Sequence, residues 1–293
     1  MENAYDAIKK QQQSWALAEQ IDFDKKGYVK ELRHNLFQDL DKDSISEFTA
    51  GKGRELEGHM LALHSSSALV VNFFQWWRSS NNIPTLAKAM GLPGTYVNLN
   101  FEKTHNKPRG IGGIKPHLDI ELGSPIKPVA IESKFTEPYH RTLKFLKPAY
   151  VGNDIIWGNY KGCEKLAEAI VSGKETFEYL DAPQLLKHIM GLKTDYGEKG
   201  FELIYLWYDY PSEEAENHIK EMKIFDKYVR EEVNIRDIPY QRLFDSVQAV
   251  QCVDNKYLEY LKKRYFRKSF YEELVEAEDK YTALAGNPSR LKK

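Results

Sequence analysis

The sequence predicts an α/β protein in which helices flank both faces of a central mixed β-sheet. Apolar residues alternate along short stretches between residues 96 and 135, as is typical of strands. A further, strongly apolar strand is predicted over 201–210, after two helical segments. Because a strand that follows a hairpin through crossover helices usually joins the same sheet, the predicted core order is helix-strand-strand-strand-helix-strand, with extra N- and C-terminal helices.

The N-terminal part is predicted to be helical. Apolar residues recur at spacings of three and four over 4–20 and 25–40, and a further helical stretch covers 54–78. His64, Ser65, Ser66 and Ser67 interrupt this last stretch, and the serines could cap a new helix. A cap is favoured over a nucleophilic site because no acid lies at a useful spacing from His64. The following residues, 68–77, are apolar nearly all round and are expected to be buried.

Three strands are predicted next, over 96–102, 117–122 and 129–135. Residues 103–115 form a predicted loop, and the glycine and prolines within 123–128 favour a hairpin between the second and third strands. Helices are predicted over 163–171 and 182–190, before the strand over 201–210. A charged helix is expected from residue 211 to about 233, and a last helix over 243–266 with a break near Asp254.

The chain shows no internal repeat and no low-complexity linker, so a single domain over 1–293 is expected. It would comprise a helical extension over 1–50, a core over 54–210 and C-terminal helices over 211–293. A hydrophobic fraction of 42% indicates a globular rather than a disordered chain. The apolar runs fall short of the ~20 residues of a membrane helix, and the polar N-terminus lacks a secretory signal. We therefore expect a cytoplasmic protein without a membrane partner, with Cys163 and Cys252 as reduced thiols.

The chemistry is predicted to lie on the hairpin. Side chains alternate along a strand, so Glu132 and Lys134 share a face. If the hairpin closes symmetrically about residues 125 and 126, Asp119 lies opposite Glu132, with His117 and Glu121 beside it. Two carboxylates about 4 Å apart repel by ~4 kcal/mol at an effective dielectric near 20. A divalent cation would remove that cost, and hard oxygen ligands suit Mg²⁺ or Mn²⁺. A solvent-facing Glu-Lys pair on an ordinary strand is the alternative interpretation.

The pattern of Asp119 followed by Glu132-Ser133-Lys134 resembles the PD-(D/E)XK nuclease superfamily, and the predicted element order agrees with that resemblance from about residue 54 to 210. The strings IESKFTEPY and LDAPQLLKH are similar to a bacterial branch of restriction-endonuclease-like proteins. The proline of the pattern is displaced to Pro116, three residues before the acid. The resemblance implies phosphodiester hydrolysis with one or two Mg²⁺ ions and no covalent intermediate. Asp119 and Glu132 would bind metal by their side chains and Ser133 by its carbonyl, while Lys134 would position the attacking water.

Other residues are expected to support this site. Gln184 lies on the following helix, where some nuclease branches place a glutamine near the catalytic lysine, and it shares a helix face with His188. Glu102 ends the first strand and could be a further metal ligand, with Glu55 and Glu57 as alternatives for the same acidic position.

Substrate contacts are expected from Arg141, as a phosphate binder at a strand end, and from His117 and His188. The net charge of −1 does not exclude a nucleic-acid substrate, because a local basic surface suffices. The basic stretch over 262–268 is either the solvated end of a helix or such a surface.

The expected partner is a nucleic acid, DNA, and a homodimer would be favoured if both strands of a duplex are cut. Two alternatives stay open. One is a nucleic-acid-binding module of the same fold with an unused site, and the other is a carboxylate-pair glycoside hydrolase, in which Lys134 would have no role. Metal dependence of turnover distinguishes the nuclease from both.

Overall fold

The computed structural model describes residues 3–50, 54–108, 112–113, 115–152, 154–251 and 253–266, except for the side chain of residue 198. Within them, five strands form one sheet in the order β1-β2-β3-β4-β5. The strands are β1 (Asn98–Thr104), β2 (His117–Gly123), β3 (Val129–Lys134), β4 (Glu202–Trp207) and β5 (Asn234–Pro239). β2 is antiparallel to both of its neighbours, β1 and β3, whereas β4 and β5 run parallel to β3. The predicted central mixed sheet is confirmed.

Ten α-helices surround this sheet in the described part of the chain. They are α1 (Ala4–Ala18), α2 (Lys42–Ala50), α3 (Ser66–Ser79), α4 (Ile83–Ala89), α5 (Asp154–Trp157), α6 (Lys161–Val171), α7 (Ala182–Tyr196), α8 (Glu213–Val229), α9 (Tyr240–Gln248) and α10 (Asn255–Arg264). The connection from β3 to β4 contains α5, α6 and α7, and that from β4 to β5 contains α8. Such helical crossovers are what parallel strand pairs require.

The β2–β3 hairpin has the predicted register. Its pairs are Ile120 with Ile131, Glu121 with Ala130, and Leu122 with Val129, so the hairpin is symmetric about residues 125 and 126. A shift of one residue would turn every side chain to the opposite face.

One face of the sheet is covered by α7 and α8. His188 of α7 lies against Glu132 of β3, and His218 of α8 lies against Tyr205 of β4. This face therefore carries the acidic residues that the sequence indicated.

The opposite face is covered by α3 and α9. Phe73 of α3 packs edge-on against Tyr240 of α9, whose hydroxyl lies 2.7 Å from the hydroxyl of Ser133. The predicted serine cap is confirmed, since the Ser65 hydroxyl accepts the Ala68 backbone N–H at the start of α3. Burial of each large apolar side chain in this layer contributes roughly 1.5–3 kcal/mol.

The predicted helix over 25–40 is wrong. The Asp24 carboxylate accepts the backbone N–H groups of Lys26 and Tyr28, and Gly27 has a φ of 86°. These contacts form a turn that a helix cannot contain, because a short acidic side chain competes for backbone donors and glycine adopts positive φ at little cost. Residues 54–65 are also not α-helical, with only a 3₁₀ turn at His59–Leu61.

Four short elements were not predicted, namely α2, α4, α5 and β5. β5 was missed because its sequence, NIRDIP, carries two charges, ends in proline and lies at the sheet edge with partly exposed side chains. β1 also begins two residues later than predicted.

In its described part, 262–266, the basic stretch does not form a continuous charged surface. Lys262 and Lys263 are exposed, but the Arg264 side chain is fully buried, and residues 267 and 268 lie outside the described residues. Of the two cysteines, Cys163 is a buried free thiol and Cys252 lies outside the described residues. Among the helices that are described, none combines the length and apolarity needed to cross a membrane.

Candidate active site

Three carboxylates, those of Glu102, Asp119 and Glu132, occupy one row across β1, β2 and β3. In the β1–β2 ladder Phe101 pairs with Ile120 and Lys103 with Leu118, so Glu102 lies opposite Asp119. The register of the β2–β3 hairpin likewise places Asp119 opposite Glu132. We call these three residues the acidic row. It lies near the ends of β1 and β3 and the beginning of β2.

Asp119 is held by the neighbouring strand. Its Oδ2 accepts the backbone N–H of Ser133 at 2.6 Å, just beyond the last ladder pair of the hairpin. Burial and the adjacent Glu132 raise the pKa of Asp119 well above its usual range, whereas Lys134 acts in the opposite direction. The carboxylate of Asp119 therefore lies in surroundings that disfavour its charge.

Glu132 is almost completely buried, with 2% of its surface exposed. The ammonium of Lys134 donates to Oε1 at 2.6 Å, and Nε2 of His188 lies 3.1 Å from Oε2. Burial alone would raise the pKa of Glu132, but Lys134 and then His188 lower it to about 2. Glu132 is thus the anion of the acidic row.

Lys134 stays charged. Burial would lower the pKa of its ammonium, but Glu132, Glu137 and Asp119 together raise it above the usual range. Its side chain keeps 12% of its surface exposed, so the ammonium is placed between buried carboxylates and the outside.

Glu102 has an unusual backbone. Its φ of 50° lies in the left-handed region, which costs a residue other than glycine roughly 1–2 kcal/mol. Burial, and then Glu55 and Glu132, raise the pKa of Glu102 to about 7. Backbone strain of this kind persists where surrounding structure enforces it, and it is concentrated at functional sites.

Of the two alternatives to Glu102, Glu55 lies close enough to the acidic row for its charge to raise the pKa of Glu102. Oε2 of Glu55 accepts the hydroxyl of Ser67 at 2.7 Å, in the first turn of α3. Glu57 is exposed to solvent. Beside them, the Ser66 hydroxyl donates to the Ser133 carbonyl at 3.3 Å, the oxygen that the sequence resemblance nominated as a metal ligand.

The predicted substrate residues lie in different surroundings. Arg141 has a side chain 70% exposed and binds Glu178 through two hydrogen bonds of 2.8 and 3.2 Å. His117 is partly exposed and its Nδ1 lies 3.0 Å from the Thr104 hydroxyl. His188, by contrast, is 3% exposed and contacts Glu132, so it faces the acidic row rather than open solvent.

Gln184, the predicted helical partner of the lysine, lies in the first turn of α7. Its backbone N–H donates to Asp181, which caps the helix, and its side chain is partly buried. It precedes His188 by one helical turn on the same face.

Two further buried residues neighbour the acidic row, and the sequence indicated Glu121 but not Tyr205. Tyr205 pairs with Glu132 in register, and its hydroxyl lies 3.0 Å from Nε2 of the fully buried His218. Glu121, also buried, accepts the Tyr196 hydroxyl and lies 3.5 Å from His105. The alternation of side chains along β4 is the one sequence signal for Tyr205. The contacts of Tyr205 with His218 of α8, and of Glu121 with Tyr196 of α7, depend on tertiary packing.

Over the described ranges, no three His, Cys, Asp or Glu side chains are gathered as a ready metal-binding group. The chemistry of the donor set nevertheless fits a hard divalent cation, since three carboxylates and a carbonyl provide only oxygen ligands. Burial, and then the charges of neighbouring carboxylates, raise the pKa values of Asp119 and Glu102, and a bound cation would favour their charged forms.

Comparison with known proteins gives a match to a family model. The family model described as "Restriction Endonuclease associating with ARP" matches residues 4–266 of the chain. No curated protein and no solved structure matches it. Because the model covers nearly the whole chain, the chain belongs to this restriction-endonuclease family, which indicates a function of nuclease type.

Proposed function

We propose, from this family membership and the acidic row, that the chain is a Mg²⁺- or Mn²⁺-dependent endonuclease that hydrolyses phosphodiester bonds of DNA. The observation that carries the proposal is the placement of Glu102, Asp119 and Glu132 level with one another on adjacent strands, with Lys134 bound to Glu132. The sequence resemblance to PD-(D/E)XK nucleases implies the part of this arrangement formed by Asp119, Glu132 and Lys134.

The divalent cation would be held by the side chains of Asp119, Glu132 and Glu102 and by the Ser133 carbonyl. When bound, it supplies positive charge to a phosphodiester and makes a water molecule more acidic. Cation binding also offsets the mutual repulsion of the acidic row, which the structure otherwise relieves by charge pairing and by raised pKa values.

Lys134 provides the positively charged donor of the site. Its ammonium, fixed on Glu132 at 2.6 Å, can donate its remaining N–H groups to the attacking water or to a phosphate oxygen. His188 holds the second oxygen of Glu132 and fixes the direction of that carboxylate. Gln184, one turn earlier on α7, would contact the same water or phosphate.

Substrate binding would extend to both sides of the acidic row. Arg141 would exchange its pairing with Glu178 for a phosphate, for which its planar donor group is suited. His117 would contact the nucleic-acid strand where it passes Asp119. In a homodimer, two such sites would cut the two strands of a duplex.

The test is incubation of the purified protein with supercoiled plasmid, single-stranded DNA and RNA, with and without Mg²⁺ or Mn²⁺. The variants are Glu132→Gln and Lys134→Gln, matched by Glu259→Gln and Lys262→Gln, which change an exposed acid and an exposed lysine of α10. We expect metal-dependent cleavage of DNA that falls by at least about 100-fold in the first pair and is unchanged in the second.

Cleavage without added metal in the presence of a chelator would contradict metal dependence. Cleavage that persists in Glu132→Gln would contradict the assigned site. Binding of nucleic acid without any cleavage would support the non-catalytic module instead.

A further inference from the structure

The β1–β2 loop is strongly basic. Between β1 and β2, residues 105–116 of the sequence contain two lysines, one arginine and one histidine, and no aspartate or glutamate, although the net charge of the whole chain is −1. Resting on the proposed function, we propose that Lys107 and Lys115 of this loop bind backbone phosphates of the nucleic-acid strand that enters the active site.

The loop begins directly beside the acidic row. The last pair of β1 and β2 is Thr104 with His117, two residues from Glu102 and Asp119 respectively. Two residues of a β-strand span roughly 7 Å, which is close to the spacing of phosphates along an extended nucleic-acid chain. If the scissile phosphate of the substrate lies at the acidic row, the next phosphates of the same chain would therefore lie along the loop.

The base of the loop is fixed to α7. His105 is fully buried, with Nδ1 3.0 Å from Oδ2 of Asp195, and Asn106 donates to the same carboxylate from its backbone and side chain at 3.1 and 2.7 Å. The helix that carries His188 thus also anchors the loop. A surface held in this way loses less conformational entropy when it binds a ligand.

The two lysines have no carboxylate partner among the described residues. Nζ of Lys115 donates to the side-chain oxygen of Asn106 at 2.8 Å, and Nζ of Lys107 donates to the Gly113 carbonyl. Lys103, in contrast, lies 3.8 Å from Glu121. Lys115 is exposed and Lys107 partly exposed, on a loop that begins beside the acidic row. Their positive charges would offset the repulsion that a phosphate meets from the carboxylates, which favours phosphate binding.

The experiment measures binding of a fluorescein-labelled 20-nucleotide DNA, single-stranded and duplex, in the presence of a chelator so that no cleavage occurs. The full-length wild type is compared with Lys107→Gln/Lys115→Gln over a range of salt concentrations. The control, Lys220→Gln/Lys223→Gln on α8, removes two exposed lysines, and Lys220 likewise donates only to an asparagine oxygen among its described contacts.

For duplex DNA, we expect the slope of log K against log [salt] to decrease in magnitude by about 1.8 in the loop variant, since each lost phosphate contact contributes about 0.9. The weakening should be similar for different sequences, and the control should match the wild type. Equal affinity and slope in all three proteins would overturn the role of the loop and leave the proposed function intact. Absence of DNA binding by any of them would also overturn it. Weaker binding by the loop variant, in a protein that cleaves no substrate, would support the loop and contradict the nuclease.

Discussion

Nε2 of His188 lies 3.1 Å from Oε2 of Glu132, and both side chains are about 3% exposed. The other oxygen of Glu132 is bound by Lys134. A buried carboxylate with a separate partner on each oxygen is fixed in direction, and this is what a metal ligand requires of its surroundings.

We predict that His188→Ala lowers the cleavage rate and the metal affinity by about 10–100-fold, because Glu132 loses one of its two partners. Plasmid cleavage at increasing Mn²⁺ concentrations measures both quantities. His34→Ala, which removes an exposed histidine, serves as the control. An unchanged metal dependence in His188→Ala would show that Glu132 is positioned without it.

Asp119→Asn is predicted to stabilise the metal-free protein while abolishing cleavage. The pKa of Asp119 is raised in the folded state, so its stabilising contribution is complete below its unfolded pKa and is lost as the pH rises. Asparagine stays neutral and its side-chain oxygen can still accept the Ser133 N–H. With a chelator present, we expect Tm to rise by roughly 2–4 °C for each kcal/mol gained, and the gain to increase between about pH 5 and pH 8.

With added Mg²⁺ or Mn²⁺, the wild type should become more stable than Asp119→Asn. A cation that binds only the folded state raises the Tm of the wild type but not that of Asp119→Asn. A variant that is less stable than the wild type at every pH would show that the Asp119 charge is favourable in the folded protein.

The acidic row was predictable from sequence as far as strand geometry determines it. Alternation places Glu132 and Lys134 on one face, and the symmetry of the hairpin sets Asp119 opposite Glu132. Neither rule depends on the rest of the chain, which is why the register of the hairpin is correct. Glu102 could be placed only as a candidate, since its left-handed backbone is imposed by its surroundings.

Elements that depend on tertiary contacts were not predictable. Residues 25–40 have helical periodicity, but the turn at Asp24 and the left-handed Gly27 determine their path. The contact between His188 and Glu132 joins residues 56 positions apart, and the sequence indicated only that His188 shares a face with Gln184.

Stability is predicted to fall as the pH decreases below about 6.5, because one fully buried and one half-buried histidine resist protonation in the folded protein. Burial lowers the pKa of His218 to about 3, and that of His64 to about 4. The stabilising contribution of a neutral histidine is present above its unfolded pKa and is lost as the pH falls toward the folded value. The fully buried His218 therefore contributes a slope of about 1.4 kcal/mol per pH unit in that interval.

His218→Phe isolates one of these protons, since a phenyl ring can keep the packing against Trp207, whose ring lies 4.7 Å away. In urea unfolding between about pH 5 and pH 7, the free energy of unfolding of His218→Phe should depend less steeply on pH than that of the wild type. The difference in slope should correspond to about one proton taken up on unfolding. Parallel curves for the two proteins would show that His218 does not titrate differently in the folded and unfolded states.

Arg264 binds the C-terminal helix to distant parts of the chain. Its fully buried guanidinium donates to Oε1 of Gln12 at 3.1 Å, to the Asn35 carbonyl at 2.7 Å and to the Leu63 carbonyl at 3.1 Å. It also lies 4.1 Å from the Trp15 ring centroid. Neutral oxygens and an aromatic face thus replace the water that the charge loses on burial.

We predict that Arg264→Leu lowers the free energy of unfolding by about 3 kcal/mol or more, because the Leu63 carbonyl loses its donor and the Asn35 carbonyl keeps only that of Asn72. Arg264→Lys should recover only part of this loss, since an ammonium cannot span acceptors arranged around a planar fork. The adjacent, exposed Lys263 provides the control, and Lys263→Gln should change the stability by no more than about 0.5 kcal/mol. Urea titrations followed by tryptophan fluorescence measure all three. If Arg264→Leu were as stable as the wild type, the apolar replacement would compensate for the lost hydrogen bonds, and the buried charge would have no net stabilising role.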